Sequence, residues 1–163
     1  MKGKILVAGI GNIFLGDDAF GVEVVQQLTS RCLPQKVQLV DFGIRSYDLA
    51  YALMDEWDLV ILVDAVPRGG QPGTIYTIEA ELPETAGAVA PDAHSMNPVS
   101  VLQLVQALGG NPGRLLVVGC EPSNLGADED GGFGLSPPVQ EAVSQAIQVI
   151  EELVAGNQES AAA

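Results

Sequence analysis

A chain of 163 residues is about one domain long and can bury a core without metals or disulfides to hold it together. Seven basic residues against 21 acidic ones leave a formal net charge of -14, so phosphate backbones and anionic bilayers find no cationic surface, and nucleic acid and membrane partners are set aside. Neither cysteine, Cys32 or Cys120, shows metal-type spacing; both are expected as buried or half-buried free thiols of a cytoplasmic protein, and no stretch approaches the ~20 apolar residues of a membrane span.

In chain order, Ile5 to Ala8 reads as a buried strand, followed by a glycine-punctuated turn (Gly9, Gly11, Gly16) and an acidic pair, Asp17 and Asp18, where an amphipathic helix begins. Asp17 or Asp18 can cap that helix, whose face carries Phe20, Val24 and Leu28 and which should end near Arg31, ahead of Pro34. Val37 to Val40 is a second strand stopping at Asp41-Phe42-Gly43, and strand, helix, strand of this length implies a right-handed parallel crossover. Ser46 is expected to cap a helix with the apolar pairs Leu49/Leu53 and Ala50/Met54. Leu59 to Val63, bounded by Asp58 and Asp64, reads as a strand buried on both faces, with Trp57 packed under it.

After the turn from Pro67 to Gly73, Thr74 to Ile78 has the composition of an edge strand, and a polar surface loop from Glu79 to Ala93 delivers His94. Asn97 and Pro98 open a helix carrying Val101, Leu102, Val105 and Leu108 up to Gly109-Gly110. Leu115 to Val118 is the last strand. Ser136 and Pro137 begin the final helix, in which Val139, Val143, Ile147 and Ile150 pack. One α/β domain over residues 1–155 follows, and residues 156–163 have nothing to bury and are expected as a disordered tail.

In an open parallel sheet, ligands bind beyond the carboxyl ends of the strands. Asp18, Asp64 and His94 map to that edge. Singly, each has a plain structural reading: Asp18 as a helix cap, Asp64 as an Asx-turn at a strand end, His94, the only histidine, as a solvated loop residue. Together, two carboxylates and an imidazole suit a borderline divalent ion with open coordination positions, whereas a structural zinc site would show thiolates or a fourth ligand. The Gly9-Ile10-Gly11 turn invites a dinucleotide reading, but Phe14 stands where the third glycine belongs and the acidic pair would repel phosphate, so no nucleotide is expected. Asp128-Glu129-Asp130 lacks calcium-loop spacing and reads as a solvated turn. Without a G-x-S-x-G elbow or a cysteine with a paired base, serine and cysteine hydrolase chemistry has little support.

The motifs GIGNIFLGDDAFG, LVDAV and HSMNP, closed by VVGCEP and GLSPPV, resemble those of the hydrogenase maturation proteases, endopeptidases that remove the C-terminal extension from the large subunit of nickel-iron hydrogenases. The resemblance runs from about Ile5 to Ile150. It implies a single α/β domain in which a mostly parallel, twisted five-stranded sheet lies between helices on both faces. It also implies a site where two acids and a histidine meet nickel: by motif Asp18, where the family often has glutamate, Asp64 and His94. These would be both the metal ligands and the catalytic set, with nickel carried by the large-subunit precursor rather than resident in the enzyme. The resemblance makes Asp41 and Arg45 the candidate substrate contacts, although their segment, Asp41-Phe42-Gly43-Ile44-Arg45, departs from the Asp-Gly-Gly-Thr of many relatives. The implied protein is a cytoplasmic monomer that cuts the precursor after nickel insertion. The alternatives are a nickel-binding chaperone that leaves the precursor uncut, and a metal-dependent aminopeptidase-like hydrolase with its own bound metal.

Overall fold

The computed structural model describes residues 3–80, 98–111, 113–125 and 134–162. Among them are five strands, β1 (Ile5–Ile10), β2 (Val37–Gly43), β3 (Leu59–Ala65), β4 (Ile75–Ala80) and β5 (Arg114–Cys120). Four α-helices alternate with them: α1 (Phe20–Leu28), α2 (Ser46–Ala52), α3 (Pro98–Ala107) and α4 (Pro137–Ala162). The sheet order is β2-β1-β3-β5-β4; β4 runs antiparallel to β5, and every other pair is parallel.

Side chains alternate across a strand, and here the alternation separates two cores. Ile5 and Val7 of β1, with Leu59, Ile61 and Val63 of β3, face α1 and α4. Leu6, Ala8 and Ile10, with Val60 and Leu62, face α2 and α3. Because both faces are covered, the central strands β1 and β3 are buried at every residue, and they appear in the sequence as unbroken apolar runs. From β1 the chain crosses by α1 to β2 on one side, then returns by α2 on the opposite face to β3 on the other side. The crossovers therefore diverge between β1 and β3, which opens a crevice at their carboxyl ends.

Several local expectations are corrected. Neither Asp17 nor Asp18 caps α1: a 3-10 turn, Gly16–Ala19, precedes the helix, Ala19 takes the cap position, and no side chain bonds there. Ser46 is the first residue of α2 rather than its cap. Cys32 is exposed, and only Cys120 is buried. Met54 and Leu108 lie just past their helices, 37% and 47% exposed, so they do not share the buried faces of Leu53 and Val105. Asn97, expected to open α3 with Pro98, lies outside the described residues, as do His94 and Asp128-Glu129-Asp130. α4 continues through Gly156 to Ala162, where a disordered tail was expected. One interior glycine costs about 1 kcal/mol relative to alanine, and Ala155, Gln158, Glu159, Ala161 and Ala162 around it are good helix formers.

Candidate active site

Three glycines bring the acidic turn to the crevice. Gly11 has φ +143°, and a Cβ there would lie 1.8 Å from the Asp18 carbonyl oxygen. A Cβ on Gly21 would lie 2.0 Å from the Val63 carbonyl oxygen and 2.5 Å from that of Ile10, so α1 can rest on the ends of β1 and β3 only without a side chain at this point. Gly9 in turn faces the Gly21 carbonyl, 2.6 Å from where its own Cβ would be. An interior helix glycine often marks such an approach. The glycine pattern thus serves helix-to-strand packing here, and Gly21 was not singled out in the sequence. The amides of the turn are also engaged: Gly11 N–H donates to the Gly43 carbonyl at 3.0 Å, and Asn12 N–H to Asp18 Oδ2 at 2.8 Å.

Asp18 is half-buried, and Asp64, at the carboxyl end of β3, is buried with 8% of its surface exposed. The Ala65 N–H donates to Asp64 Oδ1 at 2.9 Å. Burial pushes the Asp64 carboxyl well above its usual range, the neighbouring negative charge of Asp18 pushes it further, and the Ala65 amide partly offsets both. Two carboxylates brought together in a low-dielectric crevice repel each other, and a cation between them would relieve that repulsion. Among the described residues no group of three or more His, Cys, Asp and Glu side chains is placed to hold a metal ion. The structure therefore brings Asp18 and Asp64 together, while the third expected ligand, His94, falls outside what it describes.

The adjacent Asp17 has a different task. Fully buried, its Oδ2 accepts hydrogen bonds from Ser123 N–H at 2.8 Å, Asn124 N–H at 2.9 Å and the Ser136 hydroxyl at 2.8 Å, and its Oδ1 accepts one from Ser136 N–H at 2.7 Å. The Asp17 amide donates to the Asn124 carbonyl at 2.8 Å. It ties the β1 turn to the segment after β5 and to the start of α4, where a carboxylate also suits the positive end of the helix dipole.

Glu121, just past β5, holds the loop that follows β3. Its carboxylate, on a residue only 4% exposed, accepts from Arg68 N–H at 2.8 Å, Gly69 N–H at 2.9 Å and the Tyr76 hydroxyl at 3.0 Å. The Arg68 amide is the main cause of its lowered pKa, which burial opposes and the Tyr76 and Gly69 bonds reinforce. Nothing in the sequence distinguished it beyond an acid following an apolar run. Cys120 beside it is raised to about 11 by burial and by the charge of Asp17, which makes it a poor nucleophile.

Asp41 is exposed at the end of β2. The Arg45 guanidinium is engaged locally, donating to the Asp41 carbonyl at 2.6 Å and the Phe42 carbonyl at 3.2 Å and pairing with Asp48 at 3.2 Å.

Comparison with known proteins bears on what this arrangement serves. Residues 22–153 match the family model described as hydrogenase maturation protease. Asp64 and His94 lie inside that span, and Asp18 precedes it. The hydrogenase expression/formation protein HupD of Bradyrhizobium diazoefficiens is 33% identical over 154 residues, covering 93% of this chain and 78% of its own length. Among solved structures, the hydrogenase maturating endopeptidase HybD from E. coli superposes with a TM-score of 0.73 at 30% identity, over 96% of this chain and 93% of that one. The hydrogenase 2 maturation peptidase from a Thaumarchaeota archaeon gives 0.72 at 31% identity, over 93% and 98%.

Proposed function

The chain belongs to the hydrogenase maturation protease family, and from that premise we propose that it is the endopeptidase that removes the C-terminal extension of a nickel-iron hydrogenase large-subunit precursor once nickel is in place. The observation that carries this reading is the pairing of Asp18 with the buried Asp64 at the crevice between β1 and β3. Nickel enters as part of the substrate: Asp18, Asp64 and His94 complete its coordination and so bring the scissile peptide to the crevice. A divalent ion so placed polarises a carbonyl or activates a water. The chain's own residues fix where this happens, Gly11 and Asn12 holding Asp18, and β3 and the Ala65 amide holding Asp64. Cleavage is metal-assisted rather than of the aspartyl type. Asp41, exposed at the same edge, contacts the substrate beside Arg45. No described helix is long and apolar enough to cross a membrane, which suits a monomer working in the cytoplasm on a newly made precursor.

The test is to incubate the purified protein with its cognate precursor, nickel-loaded and nickel-free, and follow the C-terminal mass. Loss of the extension from the loaded form alone, abolished by His94→Ala, is the expected result. Equal cleavage of both forms refutes the nickel requirement, and nickel bound without cleavage of an authenticated precursor refutes the protease in favour of a nickel-binding chaperone.

A further inference from the structure

An apolar ridge leads away from the site. Ile13 and Phe14, in the turn that carries Asp18, are 51% and 65% exposed, and Ile44, after β2, is 62% exposed. The two turns are joined at the carboxyl ends of β1 and β2 by the hydrogen bond from Gly11 N–H to the Gly43 carbonyl. From Ile44 the ridge continues along α2 and just past it: Tyr47, Tyr51 and Met54 are spaced four and three apart, on the face opposite buried Leu49, Ala50 and Leu53, and are 55%, 67% and 37% exposed. Between Ile44 and Met54 the only charges are Arg45 and Asp48, and these pair with each other at 3.2 Å. From Ile44 to Met54 a chain of net charge -14 therefore keeps a stretch whose charges are paired, and with Ile13 and Phe14 the ridge is rich in the Tyr, Phe and Met side chains favoured at interface centres.

We propose that this ridge docks the folded body of the precursor, through an uncharged apolar face of that protein adjoining its C-terminal extension. The inference rests on the proposed function, since it takes the substrate to be a protein whose C-terminal segment enters the crevice. Continuity then selects the occupant: a body whose C-terminal segment reaches Asp18 and Asp64 lies over the carboxyl edge of the sheet, where the joined turns carry Ile13, Phe14 and Ile44 beside Asp18. Charge agrees, because a basic partner would seek the acidic surface rather than a stretch whose charges are paired.

The test is steady-state cleavage of the nickel-loaded precursor by the full chain and by Tyr51→Glu, with Gln145→Glu on exposed α4 as the control. Tyr51→Glu should raise KM about tenfold or more with kcat nearly unchanged, Tyr51→Phe should restore KM, and the control should match the wild type. If Tyr51→Glu melts early, Tyr51→Ala is measured in its place with the same expectation. An unchanged KM in a variant that melts like the wild type overturns the proposal. So does a wild-type dimer by light scattering that Tyr51→Glu splits without changing KM, which would assign the ridge to a second copy. Should the wild type fail to cut an authenticated precursor, the proposed function falls. The ridge is then judged by binding of the precursor alone: a tenfold loss in Tyr51→Glu upholds it, and equal binding overturns it.

Discussion

Removing the Asp17 carboxylate should loosen the whole edge of the sheet on which the site is built. In Asp17→Ala, the amides of Ser123, Asn124 and Ser136 lose their acceptor in a fully buried place, while the Ser136 hydroxyl can turn to another partner. Three stranded amides at about 1–2 kcal/mol each amount to about 3–6 kcal/mol. That is a large part of the 5–15 kcal/mol that holds a typical domain folded. For a chain of this size it lowers the melting temperature by about 6–24 °C. Asp17→Asn should cost less: an amide oxygen in the place of Oδ2 keeps three of the bonds, but the amide nitrogen then meets the Ser136 N–H where Oδ1 sat at 2.7 Å, a loss of about 1–3 kcal/mol. The assay is thermal unfolding by circular dichroism, with amide hydrogen exchange at 123, 124 and 136 reporting whether the tether is the cause. A melting temperature for Asp17→Ala within about 3 °C of the wild type, or unchanged exchange at those amides, would refute the reasoning.

Two further outcomes follow from the same geometry. Gly21→Ala forces a methyl against the backbone carbonyls of Val63 and Ile10, which cannot rotate away; destabilisation of about 1–3 kcal/mol by thermal melting and a loss of precursor cleavage larger than the unfolded fraction explains are expected, because α1 must lift off β3 next to Asp64. Asp64→Asn should abolish cleavage yet stabilise the fold. The Asp64 pKa is raised above its ordinary 3.8 when folded, so the native state holds this proton more tightly than the unfolded chain does, and wild-type stability falls as pH rises from 3.8 through the raised value. The Asn variant lacks that titration and should be more stable by about 0.5–2 kcal/mol at neutral pH, with the gain vanishing below about pH 4; denaturant melts at the two pH values check it, and lower stability at neutral pH would count against a destabilising Asp64 carboxylate.

How much of this was legible depended on whether the signal was local. β1 and β3 could be read because a strand covered on both faces leaves an unbroken apolar run, and their ends could be read because Asp64 and the Gly9 to Asp18 turn interrupt those runs. Capping rules could not tell Asp17 from Asp18, since adjacent acids before a helix look alike to them; the family motif singled out Asp18 but said nothing of what Asp17 does. What separates them is a long-range fact: Asp17 meets Ser123, Asn124 and Ser136, more than 100 residues away, while Asp18 turns back to Asn12. Gly21 was silent for the same reason, because its partner is the carbonyl of Val63 on another strand. The helical tail misled through composition: the sequence after Gly156 offers little to bury, but a 20-residue helix already formed needs only good propensity to extend.

The contrast between the two acids also bears on which one is functional. A carboxylate kept for stability gathers donors, as Asp17 does with four hydrogen bonds and Glu121 does with the Arg68, Gly69 and Tyr76 groups. Asp64 has the opposite surroundings: it is buried, supported by the Ala65 amide, and set against a second negative charge. Such an arrangement weakens the folded state, and strongly shifted groups of this kind cluster at functional sites. The few donors at Asp64, set beside a second negative charge, support the proposed role of the crevice between β1 and β3 in receiving a cation-bearing substrate.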